Sequence, residues 1–339
     1  MTARLVLPGT AQEEEWLEAR RHGITASEIA VVMGLSPYSS PFALYHRKTG
    51  ALPGEEDKAV FERGHVLEPY ICRKFAERRP EFWVGGNGYD LYAHPDRPWQ
   101  LATPDRVLSE HVLYVDDDAI VTEGPPVAVL ECKTDAGEDA WGDEGTDEIP
   151  VHYRAQVLWQ MDVMGVTTGY VACLLMRQWK IRVYEITLGD DARLDLLLMR
   201  SEAIDFLQRI DLGDPPEVDW RPATGEALRR LHPSIVDKDI PVGPALRIQY
   251  QAAIRRYGEA KQRKALLTNR VLDAIGDGRR AVAAGPGAAV IATRSASEPK
   301  RVNADQLRAE YPAAAAACTH PPEHPEIKLT PAKPPKEAK

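Results

Sequence analysis

An apolar run that ends in two opposite charges is the pattern around which the chain is organised. The run from Val127 to Leu130 contains two β-branched residues, which favours a buried strand. Glu131 and Lys133 follow at positions i and i+2, and such residues of a strand point to the same face. The pattern therefore predicts a carboxylate and an ammonium side by side where a core strand ends.

A second strand candidate, Trp99 to Thr103, ends in Pro104 and Asp105. Two acids and a lysine at the ends of adjacent strands can hold a hard divalent cation and place a water beside it. Glu-x-Lys is a common sequence, however, and a partly exposed strand pair with a solvated ion pair is the alternative explanation.

Helix signals precede these strands. Thr25 and Glu28 fit a capping box, as the N-cap and the N3 residue of a helix that begins there. Ser27 then lies in the first turn, where backbone N–H groups favour an anion, and Arg20 precedes it by seven residues. An arginine, a serine and a helix N-terminus together suit a terminal phosphate. A serine that merely suits a first helical turn is the alternative.

Glu68 lies on or beside an apolar helix face marked by Ile71 and Phe75. A carboxylate in such a place needs an arginine, a capped helix end or a metal as its partner. The pattern alone leaves these partners open.

A helix predicted from about His152 to Met164 has one polar face, which contains Tyr153, Gln156 and Gln160. These side chains are either exposed to solvent or approach a substrate phosphate or a water. Hairpins are predicted over residues 111–122 and 168–187, and an amphipathic helix over residues 190–210. Adjacent acids alternate faces on a strand, so we expect residues 116–118 to lie in solvent at a hairpin tip.

Composition and charge restrict the function. The chain has 339 residues, a formal net charge of −9 and a hydrophobic fraction of 44%, which are ordinary values for a globular protein. Nucleic-acid binding must then be local, in a basic groove. The four scattered cysteines contain no Cys-x-x-Cys pair, which disfavours a cysteine-based zinc or iron–sulfur site. With no evident signal peptide or membrane span, we expect a cytoplasmic protein without membrane contact.

The segment rich in Pro, Gly and Asp at residues 211–216 predicts a boundary, so we expect domains at 1–212 and 213–311. The second contains a long helix from Pro244 to Ile275 and a small hairpin from Val282 to Arg294. Residues 247–280 contain nine Arg or Lys and three Asp or Glu. This excess suits a nucleic-acid backbone, and a solvated helix face is the alternative. Composition predicts disorder for residues 312–339.

Six motifs follow one another between Glu15 and Ile210. They are Trp16-x-x-x-Arg20-x-x-Gly23-Ile24-Thr25-Ala26-Ser27-Glu28, Gly34-Leu35-Ser36-Pro37-Tyr38, Gly64-x-x-x-Glu68-Pro69, Thr103-Pro104-Asp105, Leu130-Glu131-Cys132-Lys133 and Tyr153-x-Ala155-Gln156-Val157. Together they resemble the YqaJ-like viral recombinases, the family of lambda exonuclease in the PD-(D/E)xK nuclease superfamily. Two features depart from the family. Arg106 replaces the usual glycine after the aspartate, and the predicted hairpin lengthens the segment from Asp105 to Glu131. We expect neither to remove a metal ligand.

The resemblance implies an α/β restriction-endonuclease-like core, with a mixed sheet flanked by helices and the active site at the end of the sheet. A mainly helical C-terminal region would follow it. The resemblance also implies that Asp105, Glu131 and the backbone carbonyl of Cys132 bind a metal, and that Glu68 holds a second ion or its waters. Oxygen ligands favour Mg²⁺ or Mn²⁺, and we expect two ions.

Further roles follow from the same resemblance. Lys133 would orient or deprotonate the attacking water, and Gln156 would position that water or a phosphate oxygen. Arg20 and Ser27 would bind the 5′ phosphate of a DNA end, with Tyr153 as a further substrate-binding candidate.

We therefore predict a Mg²⁺-dependent deoxyribonuclease, a 5′-to-3′ exonuclease on double-stranded DNA in phage-type homologous recombination. One alternative is an endonuclease or repair nuclease of the Cas4 or RecB type, which the lack of a cysteine cluster disfavours. Another is a non-catalytic DNA-end-binding module, which the intact acids and lysine disfavour. Expected partners are double-stranded DNA ends and a single-strand annealing protein. The resemblance also allows a homo-oligomer such as a ring trimer, in the host cytoplasm if the chain is phage-encoded.

Overall fold

The computed structural model describes residues 3–54, 59–86, 88–116, 119–137, 139–285, 289–296 and 304–319. The helices in these residues are α1 (Glu13–Arg21), α2 (Ala26–Val32), α3 (Pro41–Lys48), α4 (Ala59–Arg78), α5 (Val151–Met164), α6 (Asp190–Leu212), α7 (Pro222–Leu231), α8 (Pro244–Ile275), α9 (Ala304–Glu310) and α10 (Pro312–Ala317). The strands are β1 (Arg4–Leu7), β2 (Ile24–Thr25), β3 (Phe82–Gly85), β4 (Leu91–His94), β5 (Arg97–Ala102), β6 (Arg106–Asp116), β7 (Ala119–Asp135), β8 (Thr168–Leu175), β9 (Lys180–Thr187), β10 (Arg280–Val282) and β11 (Val290–Thr293). None of these helices is both long and apolar enough to cross a membrane.

A five-stranded sheet in the order β3-β6-β7-β8-β9 is the largest sheet of the described residues. Its neighbouring strands are antiparallel except for β7 and β8, which run parallel. Parallel neighbours need a long crossover connection, and α5 lies in that connection. Helix α5 packs against both strands as a result. The strand that contains Glu131 therefore has a helix directly over one face.

Alternate residues of β7 belong to two different cores, because successive side chains of a strand point to opposite faces. Val129 packs in the core that contains Val157 of α5. Leu130 packs in the core that contains Ile71 and Phe75 of α4. Helices thus cover both faces of a mixed sheet, which confirms the predicted α/β class with a mixed sheet flanked by helices.

A smaller sheet, β1-β4-β5-β2, contains a close approach at the start of β2. A Cβ atom at Gly23 would lie 2.3 Å from the carbonyl oxygen of Trp99, so only glycine fits there. The buried ammonium of Lys48 fixes the same turn, since it donates to the carbonyl oxygens of Gly23 (2.6 Å) and Arg20 (2.9 Å). It also pairs with the Glu28 carboxylate at 3.0 Å. The buried side chain of Lys48 therefore stabilises the turn that positions Arg20.

The predicted hairpins of the large sheet are present. Strands β6 and β7 pair antiparallel from Arg106↔Leu130 to Asp116↔Ala119, and β8 pairs with β9. The predicted tip at residues 117–118 lies outside the described residues. The β6–β7 register is regular beside Leu130 and shifts at three places farther toward the tip.

The first compact unit extends to His232, which is later than the boundary that we predict at residue 212. The reason is that α7 packs on α3. Ala227 joins Phe42 in one apolar cluster, and the Thr224 hydroxyl donates to Ser40 Oγ at 2.7 Å. The segment before α7, which is rich in proline and glycine, is thus a connection within the first unit.

The second unit contains α8, the predicted hairpin as β10–β11, α9 and α10. The structure describes every residue of α8, and none of them is buried. Helix α10 occupies residues 312–317, so the prediction of disorder is wrong there. Alanine has the highest helix propensity, and this run is rich in alanine. Residues 320–339 of the predicted tail lie outside the described part of the chain.

We predict that Lys48→Met destabilises the first unit by about 3 kcal/mol, because Glu28 and two carbonyl oxygens lose their partner. All seven tryptophans precede residue 233, so urea unfolding followed by tryptophan fluorescence reports on this unit. The control is Lys74→Met, at an exposed pair with Glu77, with an expected change below about 1 kcal/mol. Equal effects of the two substitutions would contradict the role assigned to Lys48.

Candidate active site

The carboxylate of Glu131 is the centre of the site. The residue is only 2% exposed although it is charged. Lys133 Nζ lies 2.5 Å from Glu131 Oε1, and the side-chain amide of Gln156 donates to the same oxygen at 2.6 Å. The amide of Gln160 donates to Oε2 at 2.7 Å. Both oxygens of this buried carboxylate therefore accept hydrogen bonds, which offsets the cost of burying it.

Regular spacing on two elements produces this convergence. Glu131 and Lys133 are two residues apart on β7 and share the face that α5 covers, as the sequence predicts. Gln156 and Gln160 are four residues apart on α5, so they lie one above the other on one side of the helix. The packing of α5 on β7 thus determines which groups meet at Glu131.

Asp105 follows the end of β5 and turns toward β7. Its Oδ2 accepts a hydrogen bond from the backbone N–H of Cys132 at 2.7 Å. Burial raises the pKa of the Asp105 carboxyl well above its usual range, and the nearby carboxylates of Glu131 and Glu68 raise it further. This cluster of three acidic side chains favours the binding of a cation.

Lys133 is the cation that the chain itself places beside these acids. Burial by itself lowers the pKa of Lys133, but the carboxylates of Glu131 and Asp105 outweigh burial, and the pKa is raised. The Lys133 ammonium also lies 4.9 Å from the ring centroid of Tyr153, and that ring stacks on Trp141. Tyr153 therefore contacts a catalytic candidate in addition to its predicted role in substrate binding.

Glu68 and Arg106 form the second ion pair of the site. Arg106 Nη1 donates to Glu68 Oε1 at 2.7 Å, and both side chains are 15% exposed. The same nitrogen donates to the backbone carbonyl of Asp105. We expected that Arg106 removes no metal ligand. Glu68 is still present, but the guanidinium of Arg106 contacts one of its two carboxylate oxygens.

The acids Glu68, Asp105 and Glu131 fit a hard divalent cation by their chemistry. Their donors are carboxylate oxygens, and they lie close enough for the other two to raise the pKa of Asp105. Among the described residues, no three His, Cys, Asp or Glu side chains stand in ready ligand geometry. In the structure the acids bond instead to Arg106, Lys133, two glutamines and a backbone N–H. The ligand roles implied by the resemblance stay predictions.

Cys132 is on β7 between Glu131 and Lys133, and its side chain belongs to the opposite face. Its Sγ lies 3.3 Å from Sγ of Cys72 on α4. This contact raises the pKa of the Cys132 thiol and lowers that of Cys72. The side chain therefore joins the strand to α4, whereas a ligand role for the backbone carbonyl stays a prediction.

The predicted end-binding residues come together in a separate group. The guanidinium of Arg20 donates to the hydroxyls of Thr25 and Ser27, each at 3.3 Å, and stacks over the Trp16 ring at 4.3 Å. The predicted capping box is present, and the Glu28 carboxylate accepts from the Thr25 backbone N–H at 2.9 Å. Ser27 is exposed and Arg20 is half-buried, so both can be reached from solvent.

Trp141 and Cys72 contact the site but were not assigned to it from the sequence. Gln160 was predicted on the same helix face as Gln156 without a definite role, and its spacing was the signal, because i and i+4 share a helix face. Trp141 lies in an acidic loop without periodicity, and Cys72 is distant from Cys132 in the chain. Neither of these two gives a local signal.

Comparisons with known proteins agree with the sequence motifs. A protein of Bacillus subtilis (strain 168), named as uncharacterized protein YqaJ, is 30% identical over 229 residues, which are 65% of this chain and 63% of that protein. The chain thus spans slightly less than two thirds of this curated relative. The structure of LHK-Exo in complex with dAMP has a TM-score of 0.43 and 19% identity, over 64% of this chain and 96% of that chain. A structure of the alkaline exonuclease LHK-Exo from Laribacter hongkongensis has a TM-score of 0.42 and 22% identity, over 59% of this chain and 94% of that chain.

A family model locates the similarity along the chain. The model described as the YqaJ-like viral recombinase domain matches residues 15–170. This range includes each of the six motifs and every candidate site residue named above. The predicted family resemblance is therefore confirmed, and residues 15–170 match a YqaJ-like viral recombinase domain.

Proposed function

We propose that this chain is a metal-dependent deoxyribonuclease that digests double-stranded DNA from its 5′ ends in phage-type homologous recombination. The observation that supports the proposal most is the buried carboxylate of Glu131, held by Lys133 and two glutamines beside the acid Asp105. Phosphodiester hydrolysis needs positive charge at the phosphate and an oriented water, and such a group provides for both. The match to a recombinase domain supports DNA as the substrate.

In the proposed mechanism, Asp105 and Glu131 would hold Mg²⁺ or Mn²⁺ at the end of the sheet. Such an ion would supply charge neutralisation at the scissile phosphate and would lower the pKa of a water. Lys133 donates a hydrogen bond from its ammonium to the attacking water or to a phosphate oxygen. Gln156 and Gln160 keep the Glu131 carboxylate in place, because each donates to one of its oxygens.

In the proposal, the group of Arg20, Thr25 and Ser27 binds the terminal 5′ phosphate. A terminal phosphate has more negative charge than an internal one, and a guanidinium can bind it through two parallel hydrogen bonds. The Arg20 side chain already points at two hydroxyls and is supported by the Trp16 ring. Such an arrangement favours binding at a DNA end, and therefore an exonuclease.

The proposal assigns the second unit to DNA affinity and to partners. The segment of α8 and β10 has nine basic and three acidic residues from 247 to 280, in a chain whose net charge is −9. Large apolar side chains of α8 are exposed as well, among them Leu246, Ile248 and Tyr257. A basic and partly apolar helix suits a DNA backbone, a single-strand annealing protein or another copy of the chain.

The proposed chemistry predicts that Asp105→Asn and Glu131→Gln each reduce cleavage of linear duplex DNA by at least about a thousandfold, since each removes a metal-ligand charge. Cleavage is measured with Mg²⁺ on linear DNA and on a covalently closed circle. The matched control is Glu185→Gln on β9 of the same sheet, whose carboxylate is half exposed and should be dispensable. Near wild-type turnover of Glu131→Gln would show that the site is assigned wrongly.

The proposed end pocket predicts that Arg20→Ala slows digestion of 5′-phosphorylated ends more than that of 5′-hydroxyl ends. Removing one charge-assisted hydrogen bond costs about 1.5–3 kcal/mol, or roughly ten- to a hundredfold in rate. Initial rates on the two substrates are compared. Arg21→Ala is the control, because Arg21 is exposed and pairs with Glu18. Equal slowing on both kinds of end would assign Arg20 to general binding or to the fold.

The proposed role of α8 predicts a change in salt dependence without a change in chemistry. Arg255→Gln, Arg256→Gln and Arg263→Gln combined should lower the slope of log affinity against log salt by about 0.9 for each phosphate that the helix no longer neutralises. Binding is measured by fluorescence anisotropy over a salt series, and turnover at saturating DNA is measured in parallel. An unchanged slope would show that α8 does not contact DNA.

A further inference from the structure

The surroundings of Glu68 differ from those of the other two acids. Glu68 is on α4, and the guanidinium of Arg106 reaches it from the start of β6. Arg106 Nη1 donates to Glu68 Oε1 and to the backbone carbonyl oxygen of Asp105. One positive group thus bridges a carboxylate oxygen and a carbonyl oxygen, which are the two kinds of donor that a hard divalent cation prefers.

The backbone of Gly88 packs against one side of this bridge. A Cβ atom at Gly88 would lie 2.9 Å from Glu68 Oε1, 3.1 Å from Arg106 Nη1 and 3.4 Å from the Asp105 carbonyl oxygen. The backbone at Gly88, with φ +78°, therefore packs directly on the three atoms. On this side, an ion therefore cannot reach the Glu68 oxygen that Arg106 contacts without displacing the guanidinium.

The positive charge of Arg106 also disfavours a second metal ion at Glu68. Arginine remains protonated in proteins, so the guanidinium that contacts Glu68 is a permanent positive charge. A divalent ion in contact with Glu68 would lie against a permanent positive charge and be repelled.

We propose that Arg106 takes the place of a second metal ion, so that the site binds one divalent cation, at Asp105 and Glu131. The inference rests on the proposed nuclease function and replaces the two ions that the family resemblance implies. In a site with two metals, the ions act together on the attacking and leaving oxygens. Here a fixed guanidinium provides the second charge, and it can bind a phosphate oxygen through N–H groups other than those of Nη1, the atom that contacts Glu68.

The test counts Mn²⁺ ions on the full-length protein without DNA, by isothermal titration calorimetry and by electron paramagnetic resonance of free Mn²⁺. We expect one ion per chain for the wild type and for Arg106→Lys, which keeps the charge. We expect two ions for Arg106→Gly and for Arg106→Gln, which free the Glu68 carboxylate. Adding Glu68→Gln to Arg106→Gly should restore one ion and so assign the new ion to Glu68.

The control is Arg79→Gln, which removes another half-buried guanidinium, paired with Glu81 away from the site, and should leave one ion. Two ions on the wild type would overturn the inference and leave the proposed nuclease intact. One ion on both charge-removing variants, with tryptophan fluorescence like that of the wild type, would also overturn it. Binding of no ion to any protein would overturn the proposed metal-dependent function, and the inference with it.

Discussion

The buried carboxylate of Glu131 is the constraint on which the site and the surrounding fold depend. A charge in the interior is costly unless donors surround it, and here an ammonium and two amides do so. Lys133 is on β7, whereas Gln156 and Gln160 are on α5. The packing of α5 on β7 therefore determines the geometry of the site. Any shift of α5 relative to β7 would take both glutamine amides away from the buried carboxylate, and this penalty holds the helix in register with the strand.

A second buried charge with hydrogen-bond partners lies near the start of the chain. The ammonium of Lys48 is 3% exposed and is satisfied by Glu28 and by two carbonyl oxygens of the turn around Gly23. In both places a lysine ammonium pairs with a carboxylate in the interior. Lys48 joins α3 to the turn that follows Arg20, and Lys133 supports Glu131. Burial of paired charges is thus used to position polar residues, at a cost that the apolar cores must offset.

Much of this arrangement could be predicted from the sequence, because its signals are local. The period of two on β7 places Glu131 and Lys133 on one face, the capping box at Thr25 is present, and the family motifs match residues 15–170. Contacts between distant segments could not be predicted in this way. Nothing in the pattern of α4 distinguishes an arginine from a metal as the partner of Glu68, and nothing in residues 211–216 shows that Thr224 bonds to Ser40. Such pairs depend on how the layers stack, which periodicity does not encode.

The irregular register of the β6–β7 hairpin has a consequence for how the chain tolerates changes of length. Beside the site, Arg106, Val107 and Leu108 face Leu130, Val129 and Ala128 in unbroken register, whereas the pairing shifts repeatedly beyond Leu108. An insertion or deletion near the tip can be absorbed by one of these bulges and leaves the end of the strand unmoved. The same change between Ala128 and Glu131 would exchange the two faces of the strand, moving the carboxylate toward α4 and the Cys132 thiol toward α5. The loop end of this hairpin is therefore free to vary in length during evolution, while its base is not.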